Sequence, residues 1–202
     1  MQITSFKNIN FGKKIPINSC KILDKTKGKY IDATVYEYDC KDLNDVYEVK
    51  KLDNSWSFKD LFVSGMHEKF ITNMIKQPDN DNHYYSIEDE NQKIVGLCHT
   101  KENENEINVK LLASQSGGKY KYVGQNMLSA MAQKILKTNK EIFRITGVLK
   151  DVSGFYEKTC GFEEGDRCKY IPCYEYHLSK ENLEGFIENV SAKTQNNQIP
   201  LG

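Results

Sequence analysis

Apolar and polar positions change their period several times along the chain, and each change predicts an element. Residues 30–38, YIDATVYEY, are β-branched and aromatic with rough alternation, which predicts a strand. Two helices are expected next. Asp42 can cap the first, on which Leu43, Val46, Tyr47 and Lys50 share a face. In the second, Phe58, Leu61, Phe62, Phe70, Met74 and Ile75 recur at three and four residues, broken near Gly65 and stopped by Pro78. Between residues 83 and 114, two polar clusters, 88–92 and 101–106, separate three strand-like runs, the pattern of an antiparallel meander. The third run alternates Ile107, Val109 and Leu111 against Asn108 and Lys110, so one face is buried and the other polar. After the loop SQSGGKYKY, the residues Met127, Leu128, Met131, Ala132, Ile135 and Leu136 form the stripe of a helix buried on one side. Lys134, Lys137 and Lys140 gather at its carboxyl end, where cations suit the helix dipole.

Residues 142–149 then predict a short strand, 152–159 a short helix, 171–179 a final strand and 180–192 a further helix, with TQNNQIPLG as a frayed tail. Residues 1–28 lack a sustained period and are expected to be an extension with one short strand packed onto the domain. The expected division is 1–28, 29–180 and 181–202.

Composition narrows the class. The 202 residues are 39% hydrophobic, 11% aromatic and 28% charged, which is a folded, soluble composition well away from that of disordered chains. Lys plus Arg number 28 and Asp plus Glu number 28, so no overall field attracts nucleic acid or an anionic membrane, and any anion site must be local. No apolar run approaches the roughly 20 residues of a membrane span, and MQITSFKNINFGKK has no continuous apolar segment for a signal peptide, so a cytoplasmic location is expected. Six scattered cysteines without a CxxC pattern are expected to be reduced. Cys168 and Cys173 have half the spacing of a zinc site, but the four histidines supply no second half, and no metal is expected.

The chemistry concentrates where the third meander strand runs through a Gly-containing loop into a helix. The first amides of a helix lack internal acceptors and the dipole is positive there, so a pyrophosphate can occupy that place. The junction reads Gly117-Gly118-Lys119-Tyr120-Lys121-Tyr122-Val123-Gly124-Gln125-Asn126-Met127-Leu128, with Lys119 and Lys121 supplying charge and Gly124 admitting a phosphate close to the backbone. Both Walker A and GxGxxG patterns are absent. One helix and one strand later comes Gly154-Phe155-Tyr156-Glu157-Lys158-Thr159-Cys160-Gly161-Phe162.

This order of strand, loop, helix, strand and short FYEK-bearing helix resembles the GNAT superfamily of N-acetyltransferases, whose loop motif is [QR]-x-x-G-x-[GA]. Lys119 takes the Arg position, Tyr122 the first Gly and Gly124 the second, with Met127 and Leu128 as the apolar pair that follows. The family's FYEKxGF has one residue more here, Thr159-Cys160, and Leu149 stands where members often carry Asn.

The resemblance implies an α/β (α+β) fold: a mixed, mostly antiparallel sheet with two splayed parallel strands and flanking helices. It implies acetyl-CoA in the gap between those strands, with its pantetheine on the backbone of the strand ending near Leu112 and Ala113. The pyrophosphate would lie on the loop of Lys119, Lys121, Tyr122, Val123, Gly124, Gln125 and Asn126. An amine acceptor, small molecule or protein, would attack the thioester directly while Tyr156 protonates the departing thiolate, a transfer open to a phenol of pKa about 10 and a thiol of about 8.5 when it accompanies bond cleavage. Glu37, Glu88 and Glu106 are carboxylates that could deprotonate the amine, and Trp56, Tyr84 and Tyr85 either line an acceptor pocket or pack. The other reading is a GNAT-like domain that binds CoA or a protein without turnover.

Overall fold

The computed structural model describes residues 14–38, 81–115, 118–138, 140–167 and 173–195. The two helices expected between residues 42 and 78, residues 196–202 and Trp56 lie outside them. Thr194 and Gln195, expected in a frayed tail, instead complete the carboxyl-terminal helix, where buried Thr194 donates to Val190 O at 3.0 Å.

The described residues form a nine-stranded sheet with two helices: β1 (Ile15–Asp24), β2 (Lys29–Tyr38), β3 (Asn82–Asp89), β4 (Ile94–Glu102), β5 (Glu106–Ser114), β6 (Tyr120–Lys121), α1 (Val123–Lys137), β7 (Ile142–Leu149), β8 (Glu163–Arg167), β9 (Cys173–Ser179) and α2 (Lys180–Gln195). Strand order is β6-β1-β2-β3-β4-β5-β7-β9-β8. Every neighbouring pair is antiparallel except β5 and β7. The expected strand at 30–38, the meander, the helix after the loop and the strand at 142–149 are all present. The weakly periodic stretch before residue 28 holds ten-residue β1, paired along its length with β2.

Three of the antiparallel connections share one turn chemistry. A carboxylate or amide side chain accepts the backbone N–H groups of the turn that follows it, as short Asx residues do. Asp24 Oδ1 accepts from Thr26 N at 2.9 Å, Asp89 Oδ1 from Asn91 N at 2.9 Å and Lys93 N at 3.0 Å, and Asn103 Oδ1 from Asn105 N at 2.9 Å and Glu106 N at 2.8 Å. The last two lie in the polar clusters that divide the meander runs in the sequence, and all three turns are set locally.

Strand β8 escapes the sequence pattern because EEGDR has no apolar alternation. It is held through pairing with β9, and a charged edge strand resists pairing with other chains.

Helix α1 lies across the sheet. Met127, Leu128, Met131, Ala132 and Ile135 are buried against Ile87, Val95, Cys98, Ile107 and Val109. Its amino end approaches β4 closely at Gly96, where an added Cβ would lie 2.5 Å from Val123 Cγ1 and 2.8 Å from Ile87 Cγ2. Gly96→Ala is expected to lower stability by about 1–3 kcal/mol, read as a shifted urea midpoint with unchanged slope.

The carboxyl end of α1 does more than complement the dipole. Lys134 donates to Tyr85 Oη at 2.8 Å and Glu102 Oε1 at 2.9 Å and pairs with Glu37 at 3.4 Å, while His83 Nδ1 meets Glu37 Oε1 at 2.6 Å. One charged cluster thus ties α1 to β2, β3 and β4. Cys173 is disulfide-bonded, which corrects the expectation of a reduced thiol there; Cys20, Cys98 and Cys160 are free. Among the described residues no helix is long and apolar enough to cross a membrane, and no three His, Cys, Asp or Glu side chains form a metal-ligand group.

Candidate active site

The parallel strands pair over four residues only, from Glu106↔Ile142 to Val109↔Ile145. Both then bulge. On β5, Thr100↔Val109 is followed by His99↔Leu111, leaving Lys110 as the extra residue; on β7, Ile145↔Tyr176 is followed by Val148↔Tyr174, with Thr146 and Gly147 facing one partner residue. Gly147 takes φ +77°, the left-handed conformation that a bulge can require. A bulge sharpens local twist, and two at the same level on adjacent strands turn them apart. The sheet therefore opens between β5 and β7 from Lys110 and Thr146 onward. Leu112 and Ala113 lie along this opening, half-buried, paired with β4 on one side and with no β7 partner on the other.

Above the opening starts α1. Tyr122 precedes it at φ 70°, ψ 6°, no side chain caps the helix, and no acidic residue occupies the first turn. The amides of Val123, Gly124 and Gln125 thus have no intrahelical acceptor and face a positive dipole end. The left-handed Tyr122 explains why a glycine suits this position: a side chain there costs roughly 1–2 kcal/mol. The Tyr122 ring stacks on Tyr30 at 6.2 Å, a contact that a glycine would lack.

Other loop residues divide by role. Val123 and Gln125 are buried, and Asn126 Nδ2 donates to Lys21 O and Tyr122 O at 2.9 Å each, so that these residues offer backbone rather than side chains. Lys121 is exposed on β6. The Lys119 ammonium lies 3.7 Å from buried Asp24 and 4.7 Å over the Tyr120 ring. Burial opposes ionisation of Asp24, but the Thr26 hydroxyl, the Thr26 and Lys27 amides and Lys119 outweigh it and hold the carboxyl below its ordinary range. A Cβ on Gly124 would lie 3.2 Å from Phe155 Cζ and 3.6 Å from Leu112 Cδ2. Three separate segments therefore meet at Gly124: the loop, the opening strand and the FYEK segment.

That segment begins with a 3₁₀ turn, Lys150–Val152, and continues as a π-helical turn, Phe155–Thr159. A π turn is what one inserted residue produces in a helix. The residue added at Thr159-Cys160 is absorbed there, after which Gly161 takes φ +74° and Phe162 returns to the core. Tyr156 is 8% exposed, faces Tyr176 at 5.7 Å and meets Phe155 edge-on at 5.0 Å. Tyr176 donates to Glu157 Oε1 at 2.5 Å, fixing the neighbouring residue of the same turn. Burial pushes the Tyr156 phenol well above its ordinary range, and the Cys98 and Cys160 thiols beside it add to the shift. The hydroxyl stays protonated throughout the neutral and moderately alkaline range.

The carboxylates singled out in the sequence all have partners. Glu37 joins the Lys134 cluster, Glu88 accepts from Lys14 at 2.7 Å on both oxygens, and Glu106 pairs with Arg144 at 3.1 Å. Tyr84 and Tyr85 are fully buried, Tyr84 stacked on His99 at 4.6 Å. Both pack in the core, and the Tyr85 hydroxyl also belongs to the Lys134 cluster, donating to Glu102 Oε1 at 3.0 Å. Sequence reasoning missed the bulge pair at Lys110 and Gly147, for which a glycine inside a strand pattern was the available signal.

The buried thiols make stability sensitive to alkali. Cys160 is pushed up to about 12 by burial, and Cys98 higher still by burial with Glu102 adding. Their folded values exceed the unfolded value of about 8.5, so their contribution is complete below that pH and is lost as pH rises toward the folded values. Each thiol then withdraws about 1.4 kcal/mol per pH unit. Urea midpoints at pH 8 and 9.5 are expected to show this fall, with a smaller slope in Cys98→Ala.

No protein-family model matches the sequence, and no curated protein does. Solved structures match. PaiA N-acetyltransferase of Thermoplasma acidophilum, in complex with coenzyme A, aligns at TM-score 0.52 over 73% of this chain and 98% of its own, with 14% identity. A GNAT-family acetyltransferase of Staphylococcus aureus gives 0.53 over 73% and 99%, with 16% identity. An uncharacterized protein of Bacillus halodurans gives 0.56 over 89% and 99%, with 11% identity. The likeness is one of fold, and the fold is that of GNAT-family acetyltransferases.

Proposed function

We propose that this chain is an acetyl-CoA-dependent N-acetyltransferase in which an amine attacks the thioester directly inside the opening between β5 and β7. The observation that carries the reading is the convergence at Gly124 of an uncapped helix start, the unpaired side of β5 and the Tyr156 segment. In this reading the pyrophosphate takes the free amides of Val123, Gly124 and Gln125, with Lys119 and Lys121 near it, and the pantetheine runs along Leu112 and Ala113. The acetyl thioester then lies toward Lys110. The amine nitrogen bonds to the carbonyl carbon and releases a proton to solvent, the C–S bond breaks, and Tyr156 supplies the proton that the sulfur needs and regains one from solvent.

Calorimetry with acetyl-CoA, followed by CoA release with mixed amines, tests binding and turnover separately. A second reading, a CoA-binding or protein-interaction domain without turnover, draws on the Lys119 to Asp24 ion pair, which engages one loop cation within the protein. Binding with no CoA release under any amine would select it.

A further inference from the structure

Lys110 stands where β5 and β7 part. It is the extra residue of the β5 bulge, one position past the last parallel pair, Val109↔Ile145. Its Nζ reaches across toward β7 and donates to Thr146 Oγ1 at 3.1 Å, and Thr146 donates in turn to Asn108 Oδ1 at 3.1 Å. The side chain therefore lies at the start of the opening. Val109 and Ile145 are buried in the core that contains Tyr156, while Asn108 and Thr146 alternate to the other face of the sheet. Lys110 thus lies on the face of the sheet opposite the core that holds Tyr156.

The residue is exposed, so the nitrogen is accessible. Partial desolvation lowers the pKa of its ammonium in spite of Glu106 and Glu175, with Lys101 and Arg144 adding to the lowering. More of it is free amine near pH 8 than for an ordinary surface lysine. Strand residues advance about 3.3 Å each, so a thioester beyond a pantetheine lying on Leu112 and Ala113 comes within the length of a lysine stem.

Resting on the N-acetyltransferase reading, we propose that Lys110 is itself an acceptor: the chain transfers one acetyl group from acetyl-CoA to its own Lys110 Nζ. The ammonium first releases a proton to solvent. The nitrogen lone pair then forms the C–N bond, the C–S electron pair leaves with sulfur, the nitrogen gives up a second proton to solvent, and the thiolate gains one from Tyr156, which regains its own from solvent. The products are Nε-acetyl-Lys110 and CoA, with no oxidant or reductant involved. The mark removes a positive charge beside Glu106 and Glu175.

The test is incubation of the full chain with acetyl-CoA and no amine, followed by intact mass and peptide mapping. The expected result is one acetyl group, mapped to Lys110, formed at a rate independent of protein concentration and absent in Lys110→Arg. Tyr156→Phe should slow its appearance about a hundredfold, and Gly124→Glu should prevent it. Equal labelling of Gly124→Glu would identify plain chemical acylation and overturn the proposal, as would a rate that rises with protein concentration. An unmodified Lys110 alongside normal CoA release with added amines would overturn it and leave the acetyltransferase reading standing. Failure of wild type to bind acetyl-CoA by calorimetry would overturn both.

Discussion

Gly124→Glu is expected to abolish acetyl-CoA binding while leaving the fold intact. The substituted carboxylate would stand at the amino end of α1, where the free amides of Val123, Gly124 and Gln125 would otherwise face a pyrophosphate. At about 4 Å and an effective dielectric of 20, each pair of like charges costs about 4 kcal/mol, roughly a thousandfold in affinity. Crowding contributes separately, because a Cβ would lie 3.2 Å from Phe155 Cζ and the ring must give by a few tenths of an ångström. Gly124→Ala separates the two effects: it adds only the Cβ and is expected to bind more weakly than wild type but far better than the Glu variant. Calorimetry gives the affinities and thermal denaturation confirms folding. Equal affinity in the Glu variant and wild type would remove this loop from the site.

Tyr156→Phe is expected to lower turnover about a hundredfold with little change in acetyl-CoA affinity. The ring keeps its contacts with Phe155, Phe162 and Tyr176, and only the hydroxyl is lost. General acids contribute about 100-fold to 10,000-fold. The low end applies because burial raises the phenol's pKa and makes it a weaker acid, and because water can protonate a thiolate of modest basicity. The same shift sets the pH profile. A group active when protonated, with its pKa raised, stays active to higher pH, so wild-type kcat should show no alkaline limb from Tyr156 below about pH 10. CoA release across pH checks both points, and wild-type turnover in the Phe variant would reduce Tyr156 to a packing residue.

Individual residues show how far the sequence reached. The α1 stripe was legible because Met127, Leu128, Met131, Ala132 and Ile135 fall on one helical face whatever they pack against. The two meander turns were legible because Asp89 and Asn103 lie in polar clusters and act on amides two to four residues away, whereas the turn at Asp24 was not, because no sustained period marks the strand before it. The FYEK segment was legible as a short helix, but its π geometry was not, since only the demand that both Tyr156 and Phe162 reach the core makes the extra residue bulge. From the sequence alone Lys119 is a phosphate contact of the loop. Its ion pair with Asp24, on a strand almost a hundred residues earlier, needs the β1–β6 pairing to exist.

By itself, then, the sequence determined the local periods, the polar clusters between the meander strands and the glycine at the helix start, and the resemblance is what proposes the loop and Tyr156 as one site. The periods, the clusters and the glycine depend on residues within a few positions of one another. The tertiary structure alone decided which strands neighbour which, that charged β8 is a strand, that Glu37, Tyr85, Glu102 and Lys134 form one cluster, and that β5 and β7 part at Lys110 and Thr146. The reason is physical. A bulge or an ion pair is a relation between two segments, fixed by sheet register and by what the core will bury, and neither partner's own neighbourhood in the chain contains it.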